Sequence, residues 1–259
     1  MKDAGDPVGD RPQDAPSAPV GTGALVVVPT YEEAASIGVL IDGVLAAAPG
    51  VHVLVVDDGS PDGTADLVAA RPEPGVHLLR RGSKDGLGAA YRAGFAWARG
   101  RGYDVLVEMD ADLSHPAERL PALLAAVGPG GADLALGSRY VAGGATAGWP
   151  RRRRLLSRGG NAYIRVALRL GVRDATAGFR AFRARLLDRI HVQGLRSTGY
   201  CFQVETTLRA VRHGARVVEV PITFVERASG RSKMGPGIVA EAMARVTWWA
   251  LLDLRRRLP

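Results

Sequence analysis

Asp110-Ala111-Asp112 sets two carboxylates one residue apart at the end of an apolar run, residues 105–109. On an extended chain such residues share a face, and at a strand's end the backbone can turn to bring them closer, so both can converge on one hard cation. Donors that are all oxygen favour Mg²⁺ or Mn²⁺ over zinc. The bland alternative is two loop acids making turn hydrogen bonds, and the triplet alone does not choose between them. A second pair, Asp57-Asp58, follows another apolar run and opens Gly59-Ser60-Pro61-Asp62-Gly63-Thr64, a sequence suited to a tight turn and a helix start. A carboxylate there can accept hydrogen bonds from the ring N–H groups of guanine or uracil. Pro29-Thr30-Tyr31-Glu32-Glu33 adds an aromatic ring and more acids after a third run.

These clusters need elements to carry them. Residues 24–28, 51–56, 76–79, 105–109 and 133–136 are short apolar runs that read as buried strands. Helices are expected between them, over residues 33–48, 64–70, 89–99 and 116–127. Almost wholly apolar strands alternating with helices predict an α/β fold, a mainly parallel sheet covered on both faces. Ligands of such sheets bind outside the carboxyl ends of the strands, and all three polar clusters fall there. Beyond residue 140 a Gly-rich stretch, 141–148, leads into four consecutive arginines, Arg151 to Arg154. Helices are expected at 155–170, 184–190, 202–213 and 237–257, with a strand at 216–220.

The chain of 259 residues, 47% hydrophobic, can bury a sizeable core. Cys201 is its single cysteine, which excludes an internal disulfide framework and Cys-rich zinc sites and makes a reducing cytoplasm the default compartment. Residues 1–22, rich in Asp, Pro and Gly, read as a disordered tail with no secretory h-region. That tail is acidic, so the net charge of +8 belongs to the rest and suggests an anionic partner. No nucleic-acid-binding motif accompanies the charge, which leaves phosphate-bearing substrates and acidic lipid. No segment reaches the roughly 18–20 apolar residues a membrane span needs.

Residues 29–33, 57–64, 110–116 (DADLSHP) and 137–140 (GSRY) resemble the inverting family 2 glycosyltransferases of GT-A fold. Within that family the chain looks like the dolichol- and polyprenol-phosphate mannosyltransferases. Ser157-Arg158-Gly159-Gly160-Asn161, Thr176-Ala177-Gly178-Phe179-Arg180, residues 200–205 (YCFQVE), Val220-Pro221-Ile222 and residues 224–233 (FVERASGRSK) carry the narrower likeness, which covers about residues 24–240. The resemblance implies inverting transfer of mannose from GDP-mannose to a polyprenyl phosphate, with Mg²⁺ or Mn²⁺ as cofactor. A UDP-glucose-dependent sibling is the alternative. It further implies that Pro29, Tyr31, Glu33, Val56 and Asp58 line the nucleoside pocket. Asp110, Ala111 and Asp112 would hold diphosphate and metal, Asp112 foremost, with Ser114 a third metal contact. Arg139, Arg227 and Lys233 would meet phosphates and act in catalysis with Asp112, while Arg180, like Arg139, is a candidate for the acceptor phosphate. Asp85 stands where such enzymes usually carry an apolar residue.

The implied acceptor needs no general base. A phosphate monoester has a second pKa near ~6, so its oxygen is already ionised at neutral pH. The arginine run beside Trp149, and the apolar and Trp residues of the last helix, suit a membrane interface. The expected organisation is a tail over 1–22, a GT-A domain over 23–235 and an amphipathic helix over 236–259. Such a protein would lie peripherally on the cytoplasmic face of a membrane, with or without a separate membrane-anchoring partner. A nicotinamide oxidoreductase is disfavoured, because Pro29-Thr30-Tyr31 stands where the dinucleotide glycine turn would follow the first strand. A non-catalytic basic binding module is the remaining rival.

Overall fold

The computed structural model describes residues 19–195, 197, 199–226 and 236–255. Its strands are β1 (Ala24–Thr30), β2 (His52–Asp57), β3 (Val76–Arg80), β4 (Val105–Glu108), β5 (Leu134–Ser138), β6 (Ala145–Ala147), β7 (Arg180–Arg183), β8 (Val217–Pro221) and β9 (Thr223–Val225). Its helices are α1 (Ile37–Ala47), α2 (Thr64–Ala69), α3 (Leu87–Ala98), α4 (Leu120–Ala126), α5 (Arg151–Ala167), α6 (Ala184–Arg189), α7 (Tyr200–Arg212) and α8 (Pro236–Arg255). The main sheet runs β3-β2-β1-β4-β7-β5-β8, parallel throughout except β7, which is antiparallel to both β4 and β5. β6 and β9 pair separately.

Alternation along the strands builds two apolar layers. Leu25, Val27, Leu54, Val56 and Leu106 face a layer completed by Tyr91, Phe95 and Phe202 from α3 and α7. Val26, Val28, Val53, Val55 and Val107 face Ile37, Leu40, Ile41, Leu120 and Leu123 from α1 and α4. Burying each Val or Leu contributes about 1.5–3 kcal/mol, which is why these strands read as unbroken apolar runs. α3 approaches β1 closely because Gly94 lacks a side chain; a Cβ there would lie 2.4 Å from a Val27 methyl.

The mainly parallel α/β sheet with helices on both faces matches expectation. β7 does not follow from the sequence: its four residues begin and end with arginine, yet it lies inside the sheet between β4 and β5. The short strands β6 and β9 are further additions, and α5 starts four residues before the predicted 155. The expected helix from residue 116 opens instead with a tight turn, Ala117–Arg119, ahead of α4. α8 docks one side, with Val246 buried and Trp249 against the core, and leaves Trp248, Leu251 and Leu252 exposed. Among the described residues no helix is long and apolar enough to cross a membrane.

Candidate active site

From β1 the chain winds outward to β2 and β3, then returns to β4 on β1's other side. The carboxyl ends of β1, β2 and β4 therefore border the crevice at which such sheets bind ligands. Tyr31, Asp58 and the Asp110–Asp112 turn follow those three strand ends.

At the β2 end the two aspartates divide the work. Asp57 is 1% exposed and spends its carboxylate on Thr30, the Gly59 and Ser60 amides and the Ser60 hydroxyl, so it fixes the turn. Asp58 receives Arg81 Nη1 at 2.7 Å, and Arg81 Nη2 reaches Asp85 at 3.0 Å. Burial raises the Asp58 pKa, opposed by the Arg81 charge. The unexpected Asp85 thus anchors the arginine that orients Asp58. Lys84 Nζ lies 3.2 Å above the Tyr31 ring centroid. Glu33 receives the Ser36 hydroxyl at 2.8 Å, and its amide donates to Thr64. Pro29 is half-buried in β1. Val56 corrects the sequence reading: it is 0% exposed and packs in the core against α3, so its side chain cannot line a pocket. The Ala111 methyl is buried likewise, which leaves only its backbone for a ligand.

At the β4 end, Leu113 adopts a left-handed φ of 60° and closes the turn. Asp112 Oδ1 accepts the Ser114 amide at 3.1 Å and its hydroxyl at 2.5 Å. Ser114, expected as a metal contact, is 1% exposed, and the observed geometry gives it the part of a support for Asp112. Asp110 Oδ1 accepts from the Tyr91 hydroxyl at 3.3 Å; burial and the Asp110 charge push the Tyr91 pKa well up, so the phenol keeps its proton. The Asp110 amide donates to His115 Nδ1 at 3.1 Å, which puts the ring's own proton on Nε2. Burial lowers the His115 pKa. Among the described residues no group of three Asp, Glu, His or Cys could hold a metal. Two carboxylates alone fit Mg²⁺ or Mn²⁺, which bind through one or two carboxylates plus substrate phosphate oxygens and water.

On the third side Arg139 is 8% exposed and locked to the fully buried Asp174, Nε to Oδ2 and Nη2 to Oδ1, both 2.7 Å. Tyr140, Trp149 and Phe224 rings surround its guanidinium at 5.2–5.5 Å. Arg153 stacks on Trp149 at 4.0 Å and pairs with Glu226. Arg227 and Lys233 lie outside the described residues. Arg180 requires correction. It is 0% exposed, and its guanidinium donates to the Ala175 and Gln203 carbonyls at 2.6 and 2.7 Å, to the Ala177 carbonyl at 2.5 Å and to the Thr206 and Thr207 hydroxyls. A cation sealed under α7 cannot meet an acceptor phosphate. Glu108, cross-strand from Arg180, is also fully buried. Sequence reasoning missed Tyr91, His115 and Asp174; only His115 carried a signal, three residues past Asp112 in the same motif.

A crevice at the switch of a doubly wound sheet, bordered by two acids at one strand end and by a carboxylate and an aromatic ring at the other two, is the arrangement expected of a glycosyltransferase of GT-A type. The chain belongs to glycosyl transferase family 2, whose model matches residues 25–190, and sits among its polyprenol-phosphate mannosyltransferases. A polyprenol monophosphomannose synthase of Mycolicibacterium smegmatis is 52% identical over 230 residues, 88% of this chain and 86% of that protein. An undecaprenyl-phosphate mannosyltransferase of Micrococcus luteus is 52% identical over 229 residues, 88% and 93% of the two chains. Among solved structures, glucosyl-3-phosphoglycerate synthase of Mycobacterium tuberculosis with Mn²⁺, UDP and product superposes with TM-score 0.62 at 24% identity, covering 90% of this chain and 80% of that one. Mannosyltransferase PcManGT of Pyrobaculum calidifontis with GDP-Man and Mn²⁺ gives TM-score 0.57 at 19% identity, over 96% and 69%. These two likenesses bear on the fold alone.

Proposed function

We propose that this chain takes mannose from GDP-mannose and delivers it, with inversion, to a polyprenyl phosphate at a membrane surface. The observation that carries the proposal is the crevice itself: Tyr31 at the end of β1, Asp58 beyond β2 on one side of it, and Asp110 and Asp112 beyond β4 on the other. The guanine N–H edge suits Asp58, held by Arg81, and the base has an aromatic face in Tyr31. Mg²⁺ or Mn²⁺ on Asp110 and Asp112 would neutralise charge on the departing diphosphate. Ser114 and Tyr91 hold those carboxylates in place before substrate arrives, so little reorganisation accompanies the reaction. Arg139, fixed by Asp174, is the described cation on the phosphate side, and Arg227 and Lys233 are assigned beside it from the sequence. The acceptor oxygen is already charged and attacks the anomeric carbon directly, which turns an α-linked donor into a β-linked product. Catalysis then consists in holding two anions in line.

The membrane side rests on α5 and α8. Over its 17 residues α5 carries no acid, and its Arg151, Arg154 and Arg158 adjoin exposed Leu155, Leu156 and Val166. The Tyr163 hydroxyl bonds Thr247 at 2.7 Å, joining this face to Trp248, Leu251 and Leu252 of α8. An apolar band flanked by arginines fits the anionic headgroups of a membrane's cytoplasmic face.

The test is transfer of labelled sugar to a short polyprenyl phosphate, from GDP-mannose or UDP-glucose, with and without chelator. Transfer from GDP-mannose that stops with chelator, and falls roughly a hundredfold or more in Asp112→Ala, is the expected result. Preference for UDP-glucose, or chelator-insensitive transfer, would overturn it.

A further inference from the structure

His115 sits at the centre of the site without any part in the reaction described so far. Its ring is buried, stacked on Phe179 (centroids 5.4 Å apart, planes 13° from parallel) and met edge-on by Phe224 at 5.4 Å. Phe224 in turn meets Trp149 edge-on at 5.4 Å, so four rings form a row from the sheet to the start of α5. The ladder between β4 and β7 ends at Glu108 and Arg180, two residues before Asp110. Beyond that end, the Asp110 amide has His115 Nδ1 as its acceptor at 3.1 Å. The same ring turns Nε2 toward Asp110 Oδ2, 3.8 Å away. Gly178 closes the other side: a Cβ there would stand 3.1 Å from both Asp110 Oδ2 and His115 Cε1.

We propose that His115 is a positioning residue for cation binding: by accepting the Asp110 amide at Nδ1 it sets the turn that brings Asp110 and Asp112 onto one ion. The turn needs an external template. Its middle residue, Leu113, holds a left-handed φ of 60°, which an L side chain adopts only when its surroundings impose it. Asp112 fixes the far side of the turn through Ser114, and His115 fixes the near side. Val225 ties its amide to the Ser114 carbonyl at 3.2 Å, so the turn is also bound to β9, which carries Phe224. A residue that only filled space between Phe179 and Phe224 would not need a nitrogen acceptor.

This inference rests on the proposed cation site, and the experiment separates the two. Mn²⁺ binding to the full chain with saturating GDP is followed by electron paramagnetic resonance of free Mn²⁺, and thermal unfolding of each metal-free protein is recorded alongside. His115→Phe keeps the ring and removes the acceptor. His115→Asn puts an oxygen on Cγ where Nδ1 stood and removes the ring. The expected result is half-saturation at roughly tenfold or more Mn²⁺ in His115→Phe, and within about threefold of wild type in His115→Asn despite a lower Tm. Should His115→Phe not fold, His115→Met, also without an acceptor there, replaces it. Wild-type affinity in the acceptor-free variant overturns the proposal, and so does His115→Asn binding as weakly as that variant, since the ring alone would then matter. A wild-type protein that binds no Mn²⁺ removes the cation site itself, and the role of His115 with it.

Discussion

Arg139 and Arg180 look interchangeable in the sequence, both following turn-like residues and both plausible phosphate contacts. The fold separates them by what answers their charge. Arg139 meets a carboxylate face to face and remains at the site's edge, whereas Arg180 is satisfied by backbone carbonyls and two threonines beneath α7. Arg180→Met therefore takes the donor from the buried Ala175 and Ala177 carbonyls and should cost about 3–5 kcal/mol in denaturant unfolding, with the acceptor KM of the folded enzyme unchanged. A raised KM at full stability would return Arg180 to the site. Glu108, 3.8 Å from the Arg180 Nε, has its pKa pushed from 4.5 to about 8 by burial, against the pull of Arg180 and with the Asp110 charge adding to the rise. Its protonated form is the one that suits the fold. The native state then holds one more proton than the unfolded chain between those two values, so this stability is complete below the lower pKa and lost as pH rises through the upper one. Glu108→Gln should match wild type near pH 5, gain on it steadily toward pH 8 and level off above; a constant difference across urea titrations at these pH values would contradict the assignment.

Elements were legible where one physical rule dominated. The five mainly apolar runs became β1 to β5 within a residue or two, because strands covered on both faces must be largely apolar. β7 escaped because its arginines mask a strand whose alternation is nonetheless sound: Phe182 and Arg180 face one layer, Ala181 the other. A buried arginine satisfied by a helix 23 residues further on is a tertiary fact with no local signature. The same limit hid Asp174, whose partner Arg139 is 35 residues away, and Tyr91, which reaches Asp110 from α3. Val56 departed in the opposite direction: in a strand covered on both faces either side of the alternation is core, so only its backbone is left for a ligand. The α5 prediction began at 155 and left Arg151 to Arg154 ahead of the helix, whereas the structure makes them its first turn, beside the exposed side that holds Leu155 and Leu156. If that side faces lipid, Arg151→Gln with Arg154→Gln removes about 2 kcal/mol of attraction to an anionic leaflet, near thirtyfold in affinity for phosphatidylserine-containing vesicles. Unaltered sedimentation with such vesicles would dissociate α5 from the membrane.

At the scale of the whole molecule, position and charge act together. The sheet's reversal at β1 places the acids of three strand ends at one crevice, while the excess of positive charge, +8 overall, includes the α5 arginines that would face lipid. The parallel α/β class and the placement of the acidic clusters at the carboxyl ends of the strands were readable from alternation, since both follow from how parallel strands must be connected. What the sequence did not disclose is the buried support, where Tyr91, His115 and Ser114 hold the Asp110–Asp112 turn and Asp174 holds Arg139, the groups proposed to face substrate. The most direct check on this account is a crystal structure with Mn²⁺ and GDP-mannose. It should place Mn²⁺ against Asp110 and Asp112 and guanine beside Asp58 and the Tyr31 ring. A nucleotide bound elsewhere, or a diphosphate at β4 with no ion between it and Asp112 at saturating Mn²⁺, would contradict it.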